Sequence, residues 1–245
     1  ACGITGVGRL PEPEAIVDWL EAKMCSTNEL EGTTILVTAG GTQESIDPVR
    51  YIGNRSSGKM GYAIAEQAVR MGAKVILVSA PTSLPIPSGV DFISVDSAVS
   101  MQEAVEARYN DVNVVIMAAA VSDFRVLHKA EQKIKKMESM TIELVKNPDI
   151  LQGLGSKKNH QILVGFAAET EHVIKYGQDK VARKNLDMLV ANDVSKSNAG
   201  FNVDTNEGYF LYPDKEPKEM PNMKKSDLAR HILREVIDLV ANKHS

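Results

Sequence analysis

The chain has 245 residues, of which 43% are hydrophobic and 24% charged, and its formal net charge is −4. This composition is typical of a globular protein, and the acidic balance excludes the overall basic surface with which many proteins bind nucleic acid. The sequence has no apolar run of about eighteen residues, so no membrane-spanning helix is predicted. Cys2 and Cys25 make neither a disulfide framework nor a metal cluster. We therefore expect a cytoplasmic protein without nucleic-acid or membrane partners.

The first residues form a glycine- and proline-rich segment that lacks an initiator methionine and the basic and apolar regions of a signal peptide. Apolar side chains at helical spacing predict a short helix over residues 11–25. A polar stretch at 26–32 places the main boundary near residue 30. We expect an appended segment at 1–30 and one domain at 31–245.

A buried strand followed by two glycine-rich loops comes next in the chain. Residues 34–38 are apolar and β-branched, as in a strand covered on both faces of a parallel sheet. Residues 40–42 follow at the strand end where open α/β sheets bind ligands, and glycine there lets the backbone approach a ligand. The loop 56–59 precedes a predicted helix at 60–71, whose first N–H groups and dipole favour a phosphate. Together the two loops predict an anion cradle, with Gly40, Gly41, Ser57 and Gly58 as its nucleotide-binding residues.

Two known phosphate-binding patterns come close to this segment. The spacing from Gly53 to Lys59 fits a Walker loop, but Met60 stands where a hydroxyl should hold Mg²⁺, and no strand directly precedes the glycine. The dinucleotide fingerprint is absent, and the strand predicted at 74–79 ends without an acidic residue for a ribose. A Walker enzyme and a nicotinamide-dependent reductase are thus disfavoured, while tight turns without a ligand and a non-catalytic nucleotide-binding module remain as alternatives.

Strands and helices alternate along the rest of the chain, which predicts an α/β fold with a mostly parallel sheet. Further strands are predicted at 90–95, 113–117, 141–145, 161–168 and 186–191, and helices at 98–109, 171–184 and 226–241. Asn147 is predicted to cap another helix, with Pro148 in its first position. Residues 200–213 and onward predict a polar hairpin.

Several side chains in this part are candidates for binding a ligand. Asp123, after an alanine-rich strand end, suits a hydroxyl, an amide or a metal, or it caps a turn. The lysine-bearing stretch 126–140 predicts either a lid whose ammonium groups neutralise phosphate charge or a solvated surface. Phe166 can stack on a base or pack in the core. Lys180 and Lys184 share one helix face, which points to a cleft or to solvent.

Six motifs, in family order over about residues 33–240, resemble those of phosphopantothenate–cysteine ligases, also called phosphopantothenoylcysteine synthetases. They are DPVRYIGNRSSGKMG (47–61), AAAVSDFR (118–125), KIKK (133–136), VKNPDI (145–150), GFAAET (165–170) and KNLDMLVANDV (184–194). The resemblance implies a Rossmann-like three-layer α/β fold with a mostly parallel central sheet and a dimerisation hairpin or flap.

The resemblance also implies a two-step reaction. CTP, in the bacterial fused type, activates the carboxylate of 4′-phosphopantothenate as an acyl-cytidylate with loss of pyrophosphate, and the amine of cysteine then displaces CMP. Mg²⁺ is expected, as is a homodimer. The segment at 1–14 resembles the end of the flavin-dependent phosphopantothenoylcysteine decarboxylase that precedes the ligase in bacteria. Cys2 would match its proton donor, FMN would belong only to that missing domain, and a higher oligomer would form with it.

Site residues carry over from the family by position. Asn54 resembles the asparagine that hydrogen-bonds the acyl intermediate, and Arg50 resembles an arginine offered across the dimer to the phosphate of phosphopantothenate. Ala119, Ala120 and Asp123 match the substrate wall. The matches to nucleotide-contacting positions are Met117, Ala118, Ala119, Asp123, Lys133, Pro148, Asp149, Ile150, Leu151, Phe166, Lys180 and Lys184, with Lys133 a catalytic lysine on the flap. Gly41 and Ser122 depart from the residues that relatives often have.

Overall fold

A computed structural model describes residues 27–169, 171–193 and 205–243 of the chain. The strands are β1 Thr34–Ala39, β2 Gln43–Ser45, β3 Tyr51–Gly53, β4 Lys74–Ser79, β5 Val90–Ser94, β6 Val114–Met117, β7 Phe124–Val126, β8 Leu144–Lys146, β9 Ile162–Glu169, β10 Met188–Asp193, β11 Thr205–Leu211 and β12 Lys218–Lys224. The helices are α1 Lys59–Arg70, α2 Ala98–Glu106, α3 Ile150–Ser156, α4 Val173–Arg183 and α5 Lys225–Lys243, and a 3-10 turn covers Tyr109–Asp111. The helix predicted at 11–25 lies outside the described residues.

Eight strands of the described chain form one sheet in the order β12-β11-β10-β9-β6-β1-β4-β5. All neighbours from β10 to β5 are parallel, whereas β11 runs antiparallel to both β10 and β12. The carboxyl ends of β1, β6, β9 and β10 therefore lie at one edge of the sheet, together with the amino end of β11. The prediction of an α/β fold with a mostly parallel sheet is confirmed.

Helices cover both faces of the sheet, because the buried strands alternate their side chains between the two faces. Ile35 and Val37 of β1 belong to an apolar cluster that also contains side chains of α1 and α5. Leu36, between them, packs on the other face with side chains of α2, α3 and α4. The three-layer arrangement that the resemblance implies follows from this alternation.

Helix α1 lies unusually close to β1. A Cβ on Gly61 would come within 2.6 Å of the Ala39 Cβ and 2.8 Å of the Thr38 carbonyl oxygen, so only glycine permits this approach. The close packing holds the amino end of α1 directly at the carboxyl end of β1. The helix end at which the sequence predicts phosphate binding is thereby placed at the edge of the sheet where open α/β folds bind ligands.

The predicted start of α3 is wrong by two residues. Asp149 is the residue that caps the helix, with its side chain accepting a hydrogen bond from the Gln152 N–H, and α3 begins at Ile150. Asn147 is instead buried, and its side-chain amide donates to the Ser122 carbonyl oxygen at 2.8 Å. Asn147 therefore makes a tertiary hydrogen bond instead of capping the helix, as its position in the sequence suggested.

One further prediction needed correction. The strand predicted at 141–145 is shorter and later, since only β8 pairs, with β7. The hairpin predicted from residue 200 onward is confirmed as β11 and β12, which join the central sheet through β11, and residues 200–204 lie outside the described part. The stretch 127–143 has no regular structure, and its role as a flap stays a prediction. In the part of the chain that the structure describes, no helix has both the length and the apolar surface to span a bilayer.

Candidate active site

The carboxyl edge of the sheet opens into a cavity of about 340 Å³, called here the central cavity. Its walls come from the loops after β3 and β6, the carboxyl ends of β9 and β10, helix α4, and the starts of α1, β11 and α5. Its described lining residues are Asn54, Ser56, Ser57, Gly58, Lys59, Met60, Gly61, Ala118, Ala119, Ala120, Val121, Asp123, Phe166, Ala167, Ala168, Lys180, Asn192, Asn206 and Lys225. Three of them are lysines and one is a carboxylate, which gives the cavity a positive balance suited to an anion.

One wall of the central cavity is the amino end of α1. The cap residue, Gly58, has a left-handed backbone (φ 76°) and no side chain, so it cannot cap the N–H groups of the first turn. Gly58 also packs against the first glycine loop, since a Cβ there would lie 3.4 Å from the Gly40 nitrogen. The two glycine loops thus lie side by side, and the helix end faces the cavity as the anion cradle requires.

A second wall is the shelf of small residues after β6, which hydrogen bonds fix to the loop after β1. The Ala120 N–H donates to the Gly40 carbonyl oxygen at 2.8 Å, and the Thr42 N–H donates to the Ala120 carbonyl oxygen at 3.2 Å. The buried Thr38 hydroxyl accepts from the Ala119 N–H at 3.1 Å. These main-chain bonds fix the shelf relative to the cradle without placing a large side chain in the space between them.

Asn54 lies where the cradle and the shelf meet. Its side-chain amide donates to the Val121 carbonyl oxygen at 3.2 Å, which orients the carboxamide along the shelf. The residue is exposed to the cavity and also lines a second cavity of about 490 Å³ around Tyr51 and Thr82, called here the outer cavity. A ligand that passes from one cavity to the other therefore passes Asn54.

A third cavity of about 230 Å³, called here the side cavity, adjoins the central one between the shelf and α3. Its described lining residues are Met117, Ala119, Val121, Ser122, Asp123, Lys146, Asn147, Pro148, Asp149, Ile150, Leu151, Phe166 and Lys184. Phe166 and Asp123 line both cavities. Phe166 is also partly buried against the core, and its stacking on a base stays a prediction.

An ion pair between two lining residues, Lys184 and Asp149, forms part of the wall of the side cavity. Lys184 Nζ lies 2.9 Å from each carboxylate oxygen of Asp149. Burial raises the pKa of Asp149, but the hydrogen bonds from Lys184 and from the Gln152 N–H outweigh it and leave the pKa below its usual range. The side cavity is thus lined both by a charged, hydrogen-bonding pair and by the ring of Phe166, a combination suited to a nucleoside.

The segment that carries the lysines is attached to the loop before β3. Asp47 accepts hydrogen bonds from Arg50 Nε at 3.0 Å and from the Ile134 N–H at 3.1 Å, while an Arg50 amino group donates to the Ile134 carbonyl oxygen at 3.1 Å. The Arg50 guanidinium and backbone N–H groups hold the pKa of Asp47 well below its usual range, although burial opposes them. Because this pKa is lowered in the folded state, the stabilisation is present above its ordinary value of 3.8 and is lost as pH falls.

Replacing Asp47 with asparagine is expected to release this segment. The variant loses the charge that holds both Arg50 and the Ile134 N–H, so trypsin should cleave after Lys133, Lys135 or Lys136 about tenfold faster under native conditions. Mass spectrometry of the early fragments measures the effect. Asp91→Asn, an exposed aspartate on β5, is the matched control and should leave cleavage unchanged. Equal cleavage in both variants would contradict the attachment.

The structure brings most of the predicted residues together, but not all of them. Lys180 lines the central cavity and Lys184 the side cavity, so the helix face that they share points to the cleft. Gly41 lines the outer cavity. Gly40, Arg50 and Lys133 line none of the three cavities. Gly40 instead packs on the Ala80 backbone, Arg50 holds Asp47, and Lys133 is exposed, so its action on a ligand stays a prediction.

Ten residues that line the central cavity were not predicted as site residues, and three of them are polar residues distant in sequence from the cradle: Asn192, Asn206 and Lys225. Asn192 falls within a recognised motif, but nothing in the motif assigns it a role. Asn206 and Lys225 come from β11 and the start of α5, and they reach the site only because the β11–β12 hairpin joins the sheet. No local pattern in the sequence could have signalled them.

Comparison with known proteins gives consistent matches. The family described as the DNA/pantothenate metabolism flavoprotein C-terminal domain matches residues 30–240. The coenzyme A biosynthesis bifunctional protein CoaBC of Bacillus subtilis (strain 168) is 49% identical over 243 residues, which are 98% of this chain and 60% of that protein. The protein of the same name from Escherichia coli (strain K12) is 46% identical over 97% of this chain and 59% of its own length.

The fold is also similar to a solved structure. The crystal structure of the C-terminal domain of the coenzyme A biosynthesis bifunctional protein CoaBC superimposes with a TM-score of 0.77 at 44% identity, covering 88% of this chain and all of that one. The chain spans about 60% of the length of the full-length relatives that it matches.

Proposed function

The chain belongs to the family of DNA/pantothenate metabolism flavoprotein C-terminal domains, and from this premise we propose that it joins cysteine to 4′-phosphopantothenate at the expense of CTP. The products are 4′-phosphopantothenoylcysteine, CMP and pyrophosphate, and the reaction is a step of coenzyme A biosynthesis. Similarity to the bifunctional coenzyme A biosynthesis proteins supports the pathway. FMN and decarboxylation would belong to a separate domain.

The observation that carries this proposal is the position of Asn54 between an anion-binding helix end and the alanine shelf, in one cavity. A nucleoside triphosphate suits the connected central and side cavities, with its base beside Phe166 and its phosphates at the start of α1. The carboxylate of phosphopantothenate would then lie near Asn54, with the rest of the substrate in the outer cavity. This places the acid beside the α-phosphate that it must attack.

In the first step a carboxylate oxygen attacks the α-phosphorus, the bond to the β-phosphate breaks, and pyrophosphate leaves. In the second, the cysteine amine attacks the acyl carbon, a C–N bond forms, and the C–O bond to CMP breaks while the surplus amine proton goes to water. The Asn54 amide can donate to the acyl oxygen as negative charge develops on it. Lys59 and Lys180, which line the central cavity, stabilise the departing phosphates.

Mg²⁺ fits this site as an ion held chiefly by the nucleotide. The described residues gather no group of three His, Cys, Asp or Glu side chains that could bind a metal by themselves. Asp123, which lines both nucleotide-facing cavities, is a suitable single carboxylate ligand. When bound, Mg²⁺ would neutralise phosphate charge.

A homodimer is part of the proposal, because the family resemblance assigns Arg50 to the neighbouring subunit's substrate. The two small sheets near Arg50 expose apolar side chains: Val49 is 61% exposed, Tyr51 55% and Phe124 51%. Such a surface suits burial against a second copy of the chain. Assembly with a decarboxylase domain would give a higher oligomer.

Pyrophosphate release tests the function directly. We expect release from CTP to require phosphopantothenate, sustained turnover to require cysteine as well, and ATP to substitute poorly. Pyrophosphate release at the same rate with and without phosphopantothenate would contradict the proposal. If no pyrophosphate is released at all, the chain would be a non-catalytic nucleotide-binding module. Binding of NADPH in a titration would instead favour a reductase.

A further inference from the structure

The wall of the central cavity opposite the alanine shelf contains a polar cluster, formed by Asn192, Asn206 and Lys225, that the reaction described above does not use. Asn192 lies near the end of β10 and pairs with Gly208 of β11. Asn206 is two residues away from Gly208 on the same strand, so the two asparagines share one face of the sheet. Lys225, the first residue of α5, follows β12 directly, and β12 pairs with β11.

Two residues of this cluster are buried and Asn192 is half-buried, and part of the cluster has unmet hydrogen-bonding capacity. Asn206 is only 3% exposed and Lys225 only 7%. The side-chain oxygens of Asn192 and Asn206 are both buried, and neither has a hydrogen-bond partner among the described residues. Leaving such an oxygen unpaired costs about 1–3 kcal/mol, so two at one cavity wall indicate that a ligand supplies the donors.

The chemistry of the cluster restricts that ligand. A carboxamide oxygen only accepts hydrogen bonds, and so do the oxygens of an ionised phosphate. Phosphate oxygens therefore cannot satisfy the side-chain oxygens of Asn192 and Asn206, whereas an amine can. Lys225 brings a positive charge to the same wall, and it suits an anionic group next to that amine. An amine beside a carboxylate is the shared part of every α-amino acid.

We propose that Asn192, Asn206 and Lys225 form the amino-acid subsite of the ligase. This inference rests on the proposed function, since that reaction needs an amino acid as its second substrate. Lys225 binds the carboxylate of cysteine, and the two asparagine oxygens accept hydrogen bonds from its amine. The cradle at Ser57 and Gly58 then holds the phosphates on a different wall. Asn54, beside which the acyl group lies, lines the same cavity as the cluster. The amine of cysteine therefore approaches the acyl carbon from the wall formed by β10, β11 and α5.

Lys225→Met tests the carboxylate contact with a pair of substrates. Cysteamine has the amine and thiol of cysteine but no carboxylate, so it should not depend on Lys225. We expect the variant to lose about ten- to a hundredfold in kcat/KM for cysteine while the value for cysteamine changes little, which removes the preference between them. Lys224→Met is the matched control, because Lys224 is the exposed neighbour on β12.

Asn206→Ala tests the amine contact. We expect a rise in KM of about tenfold for cysteine and for cysteamine alike, while the CTP concentration that gives half of the maximal pyrophosphate burst without an amine stays within about twofold. Asn222→Ala, an exposed asparagine on β12, serves as the control. If the alanine variant unfolds, Asn206→Ser, which keeps an acceptor oxygen, should restore folding and much of the affinity.

The outcomes separate the subsite from the proposed function. A rise in the KM for CTP with cysteine unaffected would assign the cluster to the nucleotide and overturn the inference. Equal losses for cysteine and cysteamine in Lys225→Met would overturn the carboxylate contact. If the unaltered chain ligates cysteine and neither variant differs from its control, the subsite is wrong but the ligase stands. If the unaltered chain forms no product with either amine, the proposed function itself fails.

Discussion

Replacing Asn54 with aspartate is expected to stop the reaction after nucleotide activation. The variant should release about one equivalent of pyrophosphate per site and then form product about a hundred- to a thousandfold more slowly than the unaltered chain. Aspartate cannot donate to the Val121 carbonyl oxygen, as Asn54 does at 3.2 Å, so the side chain loses its orientation along the shelf. Its carboxylate also cannot donate to the acyl oxygen, and it repels the charge that forms there during attack by the amine.

Rapid-quench measurement of pyrophosphate and of amide product separates the two steps. Asn110→Asp makes the same chemical change at an exposed position in the 3-10 turn and should behave as the unaltered chain does. Amide formation at the normal rate in Asn54→Asp would remove this residue from the mechanism. Loss of the pyrophosphate burst would instead assign Asn54 to activation.

The segment around the cradle could be predicted closely because several local signals agree there. The strand at 34–38 has an apolar centre, Ile35 to Val37, between two β-branched threonines, and glycines follow where the turns occur. The structure has β1 at Thr34–Ala39 and α1 starting one residue earlier than predicted. Where the hydrophobic pattern and the turn residues agree, the ends of a strand or helix can be predicted without knowledge of the rest of the fold.

Tertiary contacts decided the features that were missed. Asn147 has the residue type and the following proline of a helix cap, yet its amide is used by Ser122, and Arg125 donates to its side-chain oxygen at 3.2 Å. A residue before proline also prefers extended backbone, which agrees with a helix that starts later. The capping propensity of Asn147 does not decide its role, because its side-chain amide is buried and must form hydrogen bonds with tertiary partners.

The cluster of Asn192, Asn206 and Lys225 depends on strand pairing over a long distance. Parallel strands bring their carboxyl ends together predictably, but β11 enters the sheet antiparallel, so its first residues lie at the same edge. An antiparallel strand at the border of a parallel sheet has no distinct sequence signal. The two sides of the central cavity therefore differ in how well the sequence predicts them. The cradle is formed by residues close together in the chain, whereas the wall with Asn192, Asn206 and Lys225 is formed by pairing of strands that are distant in sequence.

Replacing Gly58 with alanine is expected to impair nucleotide binding more than stability. The left-handed backbone at this position costs roughly 1–2 kcal/mol for a residue with a side chain. The new Cβ would also lie 2.6 Å from the Thr82 Cγ2, and Thr82 is held by hydrogen bonds to the Tyr62 hydroxyl at 3.1 Å and from the Leu84 N–H at 3.3 Å. Because Thr82 resists movement, the loop and the first turn of α1 must shift. We expect the KM for CTP to rise about tenfold or more.

Gly32→Ala separates this shift from backbone strain alone. Gly32 has nearly the same left-handed conformation, with φ at 77°, but a Cβ there meets no atom within 4 Å and lies away from the central cavity. Denaturant unfolding should show a loss of roughly 1–2 kcal/mol in both variants, whereas only Gly58→Ala should weaken CTP binding. The difference between the two variants then measures what the position of the α1 amino end contributes to holding the phosphates. Equal CTP KM values in the two variants would mean that the helix end does not bind them, and the cradle would lose its role in catalysis.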